Sequence, residues 1–88
     1  MFYVTWDEES ITGLSKVVPT CVKVITEVAT DGTVKREIGF DANDTEVHRS
    51  PSSKSPRGLF DLAPIETKGI KSSMSAQQFQ ELWARGST

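Results

Sequence analysis

One cysteine, one histidine and no long apolar run: these scarcities bound the chemistry open to this 88-residue chain before any pattern is read. With Cys21 alone, no intrachain disulfide forms, so a domain this small must hold by packing, and a reducing compartment such as the cytoplasm is its expected setting. Cys21 and His48 are too few for a zinc site of the usual Cys and His type, and any nucleophilic triad would have to be built around His48. No segment approaches the ~20 apolar residues of a membrane-spanning helix. The opening MFYVTWDEES has neither the basic start nor the apolar stretch of a secretory signal. A phosphate-binding glycine loop and a GxSxG elbow are both missing. The expectation is therefore a protein without cofactor, metal or membrane association, and not an enzyme.

What is present suits one folded domain covering residues 1–88. Hydrophobic residues make up 36% and charged residues 25%, a globular balance that leaves disordered tails aside. A chain of this length buries only about 60–65% of its extended surface, enough for one thin core. The net charge of −2 is unevenly spread. Residues 1–46 carry nine acids against four bases, whereas residues 47–88 carry six bases against three acids. An acidic first half repels nucleic acid and draws basic partners, chiefly by raising their association rate. Five scattered bases, Arg49, Lys54, Arg57, Lys68 and Lys71, fall short of a nucleic-acid footprint.

The clearest pattern lies in residues 22–49, VKVITEVATDGTVKREIGFDANDTEVHR, which read as a three-strand meander. Val22, Val24, Thr26 and Val28 alternate with Lys23, Ile25, Glu27 and Ala29, and the valine side is taken as the inner face. Thr30-Asp31-Gly32 fits a three-residue loop with Gly32 left-handed, so that Ala29 pairs with Thr33. Carried on without interruption, that register sets Val28 against Val34, Val24 against Ile38, Val22 against Phe40, and Glu27 against Lys35 on the outside. Arg36 then shares the parity of Ile38 and must reach an edge or a carboxylate, because an unpaired buried charge is prohibitive. Asp41-Ala42-Asn43-Asp44 reads as a four-residue turn leading to a short third strand that ends at Arg49. In that strand Val47 should lie beside Ile38 and Phe40, with Glu46 and His48 outward.

The flanks complete a small α+β fold of about four or five antiparallel strands and one carboxyl-terminal helix packed on one sheet face. Phe2, Val4 and Trp6 alternate with Tyr3 and Thr5, which predicts a further strand with its aromatic side toward the core. Residues 7–16 read as a loop in which Leu14 and Val17 are the anchors. Residues 50–58, SPSSKSPRG, form a Ser/Pro stretch expected to be exposed and mobile. Its Ser50-Pro51 and Ser55-Pro56 pairs suit proline-directed phosphorylation in a eukaryotic host, and outside such a host a plain mobile loop is the better reading. LFDL, residues 59–62, can add a short edge strand before Pro64. Ser75 with Gln78 forms a capping box, Met74 with Phe79 a hydrophobic staple, and Gly86 a stop, which together predict a helix over 76–85. Phe79, Leu82 and Trp83 share one face of it and should cover the inner side of the sheet.

REIGFDANDTEVHRSPS followed by RGLFDL resembles a group of small, uncharacterised bacterial proteins, some of which serve as immunity proteins of toxin systems. The resemblance covers residues 22–62. It departs at the second turn, where Asn43-Asp44 stands in place of Asn-Gly, and in the final aromatic pair, where Phe79 and Trp83 are one residue further apart. It carries over no functional residue, since the shared positions are core and turn positions, but it implies a cytoplasmic, partner-binding bacterial protein.

These readings converge on a non-catalytic protein-binding protein of immunity or antitoxin type, blocking a basic partner such as a toxin through an acidic meander surface. Glu27, Glu37, Asp41, Asp44 and Glu46 are its candidate contacts. Asp41, Asp44 and Glu46 are close enough in sequence to consider a hard cation, but turn chemistry explains Asp41 and Asn43 better, and the loop lacks the length and glycine of an EF-hand. The competing class is a structural or regulatory module that self-associates through a sheet edge, so either a monomer or a weak homodimer is expected.

Overall fold

The computed structural model describes residues 1–9, 14–52, 65, 68–69 and 71–85. Its elements are β1 (Phe2–Asp7), α1 (Leu14–Val17), β2 (Lys23–Val28), β3 (Val34–Phe40), β4 (Glu46–Ser50) and α2 (Ala76–Arg85). The strands form one antiparallel sheet in the order β1-β2-β3-β4, each beside its neighbour in sequence, as short un-crossed connections favour. This is the α+β arrangement expected from the sequence. The strand expected at 59–62 and the stop at Gly86 lie outside the described residues, as do positions 53–58 of the Ser/Pro stretch.

The first hairpin closes as its sequence dictates. Ala29 N donates to Thr33 O at 2.8 Å and Gly32 N to Ala29 O at 2.9 Å. Gly32 sits at φ 91, a left-handed angle that costs glycine nothing. One step further on, the register departs from an uninterrupted ladder. Val28 does face Val34, but Lys35 is then passed over as a bulge residue, so Glu27 faces Arg36, Ile25 faces Ile38 and Lys23 faces Phe40. The expected pairs of Val24 with Ile38, Val22 with Phe40 and Glu27 with Lys35 are thus displaced by one position. The physical reason is Arg36: the bulge gives its guanidinium a carboxylate directly across the ladder, which the regular register denies it.

The second hairpin repeats the geometry of the first. Asp41 N donates to Thr45 O at 3.0 Å and Asp44 N to Asp41 O at 3.1 Å, and Asp44 takes the left-handed position at φ 60. The loop is therefore the three residues Ala42-Asn43-Asp44, not four, because Asp41 belongs to the closing pair. Its carboxylate accepts the Asn43 and Thr45 amides, each at 2.9 Å. A bulge follows here too. Phe40 faces Glu46 and Gly39 faces His48, which passes over Val47 and leaves it 36% exposed instead of packed beside Ile38 and Phe40. β4 runs one residue past Arg49, to Ser50.

Both sheet faces carry core. The face under α2 gathers Tyr3, Ile25, Ile38, Phe40 and Phe79, with Met74, Leu82 and Trp83 packed against them. The helix thus covers the side opposite to the one expected, and Tyr3, not Phe2, Val4 or Trp6, is the buried aromatic of β1. The other face holds Leu14, Cys21 and Val24 with Val18 beside them, and Thr26 and Val28 there are fully buried. Burial on both sides explains the misassignment, since in β2 five successive positions, from Val24 to Val28, are buried and alternation alone cannot choose a face. Residues 14–17 form one helical turn instead of loop, a length too short to show periodicity, and Leu14 anchors it as anticipated.

α2 begins at the predicted capping box. Ser75 N donates to Gln78 Oε1 at 2.9 Å, and Gln78 N donates to Ser75 Oγ at 3.1 Å. The chain is fastened to opposite sheet edges on either side of this box. Before it, Ser73 N donates to Tyr3 O at 2.7 Å and Tyr3 N to Ser72 Oγ at 3.1 Å, on the free side of β1. Beyond it, Arg49 of β4 donates to the carbonyl of Trp83 at 2.8 Å.

Gly39 is where the second face is tightest. A Cβ there would lie 2.9 Å from Cys21 Sγ and 3.1 Å from His48 Cβ. Gly39→Ala is therefore expected to destabilise the fold by about 1–3 kcal/mol through overpacking. Chemical denaturation measures it, and an unchanged midpoint would show that Cys21 and His48 do not meet over this glycine.

Candidate functional site

Three groups of side chains hold the chemistry that the described residues offer. The first lies between α2 and the sheet. Arg36 Nε donates to Glu27 Oε1 and its Nη2 to Glu27 Oε2, both at 2.8 Å, while Tyr3 Oη donates to Glu27 Oε2 at 3.0 Å. The Arg36 guanidinium also lies 5.0 Å from the ring centres of both Phe79 and Trp83 and donates to Gln80 Oε1 at 3.0 Å. These hydrogen bonds, that from Arg36 foremost, outweigh the cost of burial and hold the Glu27 carboxyl below the usual glutamate range. Burial first, then the bond to Glu27, pushes the Tyr3 phenol up. Both Glu27 oxygens are bonded within the fold, and Arg36 reaches Gln80, Phe79 and Trp83 of α2, so this group seats the helix.

The second group sits on the other face, around Gly39. His48 Nε2 and Glu37 Oε2 are 2.8 Å apart, and Glu37 is only 1% exposed. Glu37 Oε1 has no hydrogen-bond partner among the described residues. Cys21 packs against the same glycine and is fully buried, with its Sγ donating to Lys23 O at 3.4 Å. Burial pushes the Cys21 thiol up, which suppresses the thiolate a nucleophile needs. Among the described residues no three His, Cys, Asp or Glu side chains are placed to hold a metal ion.

The third is a half-open cleft of about 550 Å³ where the end of α2 meets the end of the sheet carrying the β3–β4 turn. Ile25, Phe40, Met74 and Leu82 form its apolar lining, and Lys23, Asp44, Glu46 and Arg85 supply its charges. Lys23 Nζ bonds Asp44 Oδ1 at 2.6 Å and lies 5.4 Å from the Phe40 ring centre. Glu46 takes both arms of Arg49, at 3.0 and 2.8 Å, and that guanidinium lies 4.4 Å from the Trp83 ring centre.

The five acids chosen from sequence do not share one surface. Glu27 is 7% exposed and locked to Arg36, and Glu37 is interior against His48, so both are corrected from contact residues to framework residues. Arg36 comes opposite Glu27 only through the first bulge, which no alternation pattern reveals. Asp41 turns its carboxylate onto backbone amides. Asp44 and Glu46 alone reach the cleft, and the Asp44 side chain is 75% exposed. Sequence reasoning gave Met74 to the staple and Leu82 to the core stripe, without their second role in the cleft, and passed over Arg85, which ends the same helix. Ser50, expected at the start of an exposed loop, instead ends β4 at 4% exposure.

No family model, curated protein or solved structure matches this chain. Among the described residues no helix is long and apolar enough to cross a membrane.

Because the folded pKa of Glu27 lies below its unfolded value, the stability it contributes is present above the ordinary glutamate range and is lost as pH falls through the lowered value. Glu27→Gln should therefore lower stability most near neutral pH, with the gap to the parent protein closing below about pH 4. Urea midpoints across pH 3–7 measure this. A gap that stays constant with pH would mean that the Glu27 charge contributes nothing.

Proposed function

We propose that this chain is a non-catalytic protein-binding domain of the toxin-immunity kind, acting in a bacterial cytoplasm and covering a basic partner with the acidic end of its meander. The observation that carries the reading is Asp44. In the first hairpin the left-handed third loop position is filled by Gly32; in the second, the same position holds an aspartate that keeps its carboxylate exposed beside an apolar cleft. An aspartate tolerates that backbone less easily than glycine does, so the acid stands at a position where the backbone by itself would favour glycine. An apolar recess beside exposed charge is also the anatomy of a contact surface, in which a buried anchor supplies energy and the rim supplies steering.

The burial of Cys21, which also pushes its thiol up, supports the non-catalytic part. Self-association through a sheet edge has less support. The free side of β1 is tied to Ser72 and Ser73, and β4 is short, bulged at Val47 and flanked by Glu46 and Arg49, which are the usual protections of an edge.

The test uses the partner captured and identified from the native host. Asp44→Asn with Glu46→Gln removes two charges while an asparagine keeps the left-handed turn and a glutamine keeps a bond to Arg49. The association rate at low salt should fall several-fold, with less change at high salt. An association rate that does not move, or a partner whose contact surface is itself acidic, overturns the acidic-surface reading. Sedimentation should give a monomer at all concentrations.

A further inference from the structure

We propose that the cleft between the end of α2 and the β3–β4 turn binds a small amphiphilic carboxylate, an aliphatic chain ending in one anionic head. The shape comes first. About 550 Å³ falls within the ~300–1,000 Å³ of small-molecule sites, and the lining is mainly aliphatic, from Ile25, Met74 and Leu82, with the Phe40 ring. Ile25 and Phe40 are the deepest members, at 4% and 8% exposure, so the recess has a closed apolar floor.

The charges then select the head group. Four charged residues line the cleft, and three are already paired: Lys23 with Asp44, and Glu46 with Arg49. Arg85 has no ion-pair partner among the described residues, even though Glu81 stands one helical turn before it on α2. Glu81 is drawn instead toward Gln77, at 3.4 Å. Arg85 also borders a second recess of about 340 Å³, lined by Met74 and Leu82 together with the polar Ser73, Gln78 and Glu81. A planar guanidinium over an apolar floor is matched by a carboxylate, which it can bind through two parallel hydrogen bonds.

Lys23 makes the site adjustable. Its bond to Asp44 is an exposed ion pair, of the sort that contributes little to stability. The Lys23 ammonium, lying over Phe40 at the mouth, can therefore exchange the Asp44 carboxylate for that of a ligand without leaving a buried charge unpaired. Asp44 is in this arrangement the internal competitor of the ligand head, and the two act on the same cation in opposite senses. A peptide terminus carries similar chemistry, but the β4 strand that borders the cleft is short and bulged at Val47, which suits it poorly to holding an extended peptide backbone.

The test is a titration of the full chain with decanoate, followed by amide chemical shifts and calorimetry, with decanol as the neutral control. Decanoate should bind with shifts centred on Ile25, Phe40 and Leu82, and decanol about tenfold more weakly. Arg85→Gln should weaken decanoate about tenfold. Asp44→Asn should strengthen it several-fold by releasing Lys23, a gain that a merely structural role for Asp44 would not produce. Equal binding of decanoate and decanol, shifts elsewhere, or a loss of affinity in Asp44→Asn would each overturn the proposal. So would binding of a peptide with a free apolar carboxyl terminus in the absence of any decanoate binding, which would assign the cleft to a protein tail. Both variants lie at the surface, and their unfolding midpoints verify that the fold is intact.

Discussion

Arg36 poses the problem that the rest of this structure solves. It lies on the sheet face that α2 covers, where an unpaired guanidinium would carry a desolvation cost larger than the net stability of a domain this size. The regular ladder would set Lys35 against Glu27 and leave Arg36 with no acid across from it. One passed-over residue reverses that outcome. Lys35 goes to solvent, Glu27 meets Arg36 with both oxygens, and the planar fork of arginine makes two bonds where a lysine makes one. The register of β2 against β3 follows, and with it the identity of the residues facing the helix. Phe79 and Trp83 then use the flat guanidinium as part of their seat.

The same economy governs the acids. A chain with nine acids in its first 46 residues would be expected to present a broad negative surface, yet the fold consumes much of that charge internally. Glu27 neutralises Arg36, Glu37 holds His48, Asp41 closes a turn and Glu46 grips Arg49. What is left at the surface of the meander sits at its two turns, Asp31 in the first and Asp44 in the second, and the second lies next to an apolar recess bordered by Arg85, which has no ion-pair partner among the described residues. Small size explains this concentration. With sheet faces only a few residues wide, both sides of β2 are needed for core, and little of the meander remains free for contacts.

The parts of the fold legible in the sequence were those fixed by local chemistry. Ser75 and Gln78 cap each other through bonds three residues apart, so the start of α2 followed directly from spacing. Gly32 dictated the first loop for the same reason, since its left-handed angle is a property of one residue. Side-chain parity beyond that loop was a different kind of question. It depends on a bulge that arises because Arg36 and Glu27 meet, a contact between strands that no window along the chain contains. The chosen face was wrong for the same reason, as Ile25 and Val24 are equally apolar and only tertiary burial distinguishes them. The site was legible in part. Asp44 and Glu46 were recognised as acids near a turn, but the recess beside them requires Met74, Leu82 and Arg85 from the other end of the chain.

The two fastenings flanking the start of α2 have a mechanical consequence. Ser72 and Ser73 hold the outer side of β1, and the Trp83 carbonyl is held by Arg49 of β4. The helix and the residues leading into it thus form a crossbar joined to both outermost strands, and β3 is tied to the same helix through Arg36 and Gln80. A sheet of four strands twists from one outer strand to the other, and a bar tied to both outer strands spans that twist. The crossbar cannot lift from one end without straining the other. Opening motions of this domain are therefore collective ones, in which helix and outer strands separate together.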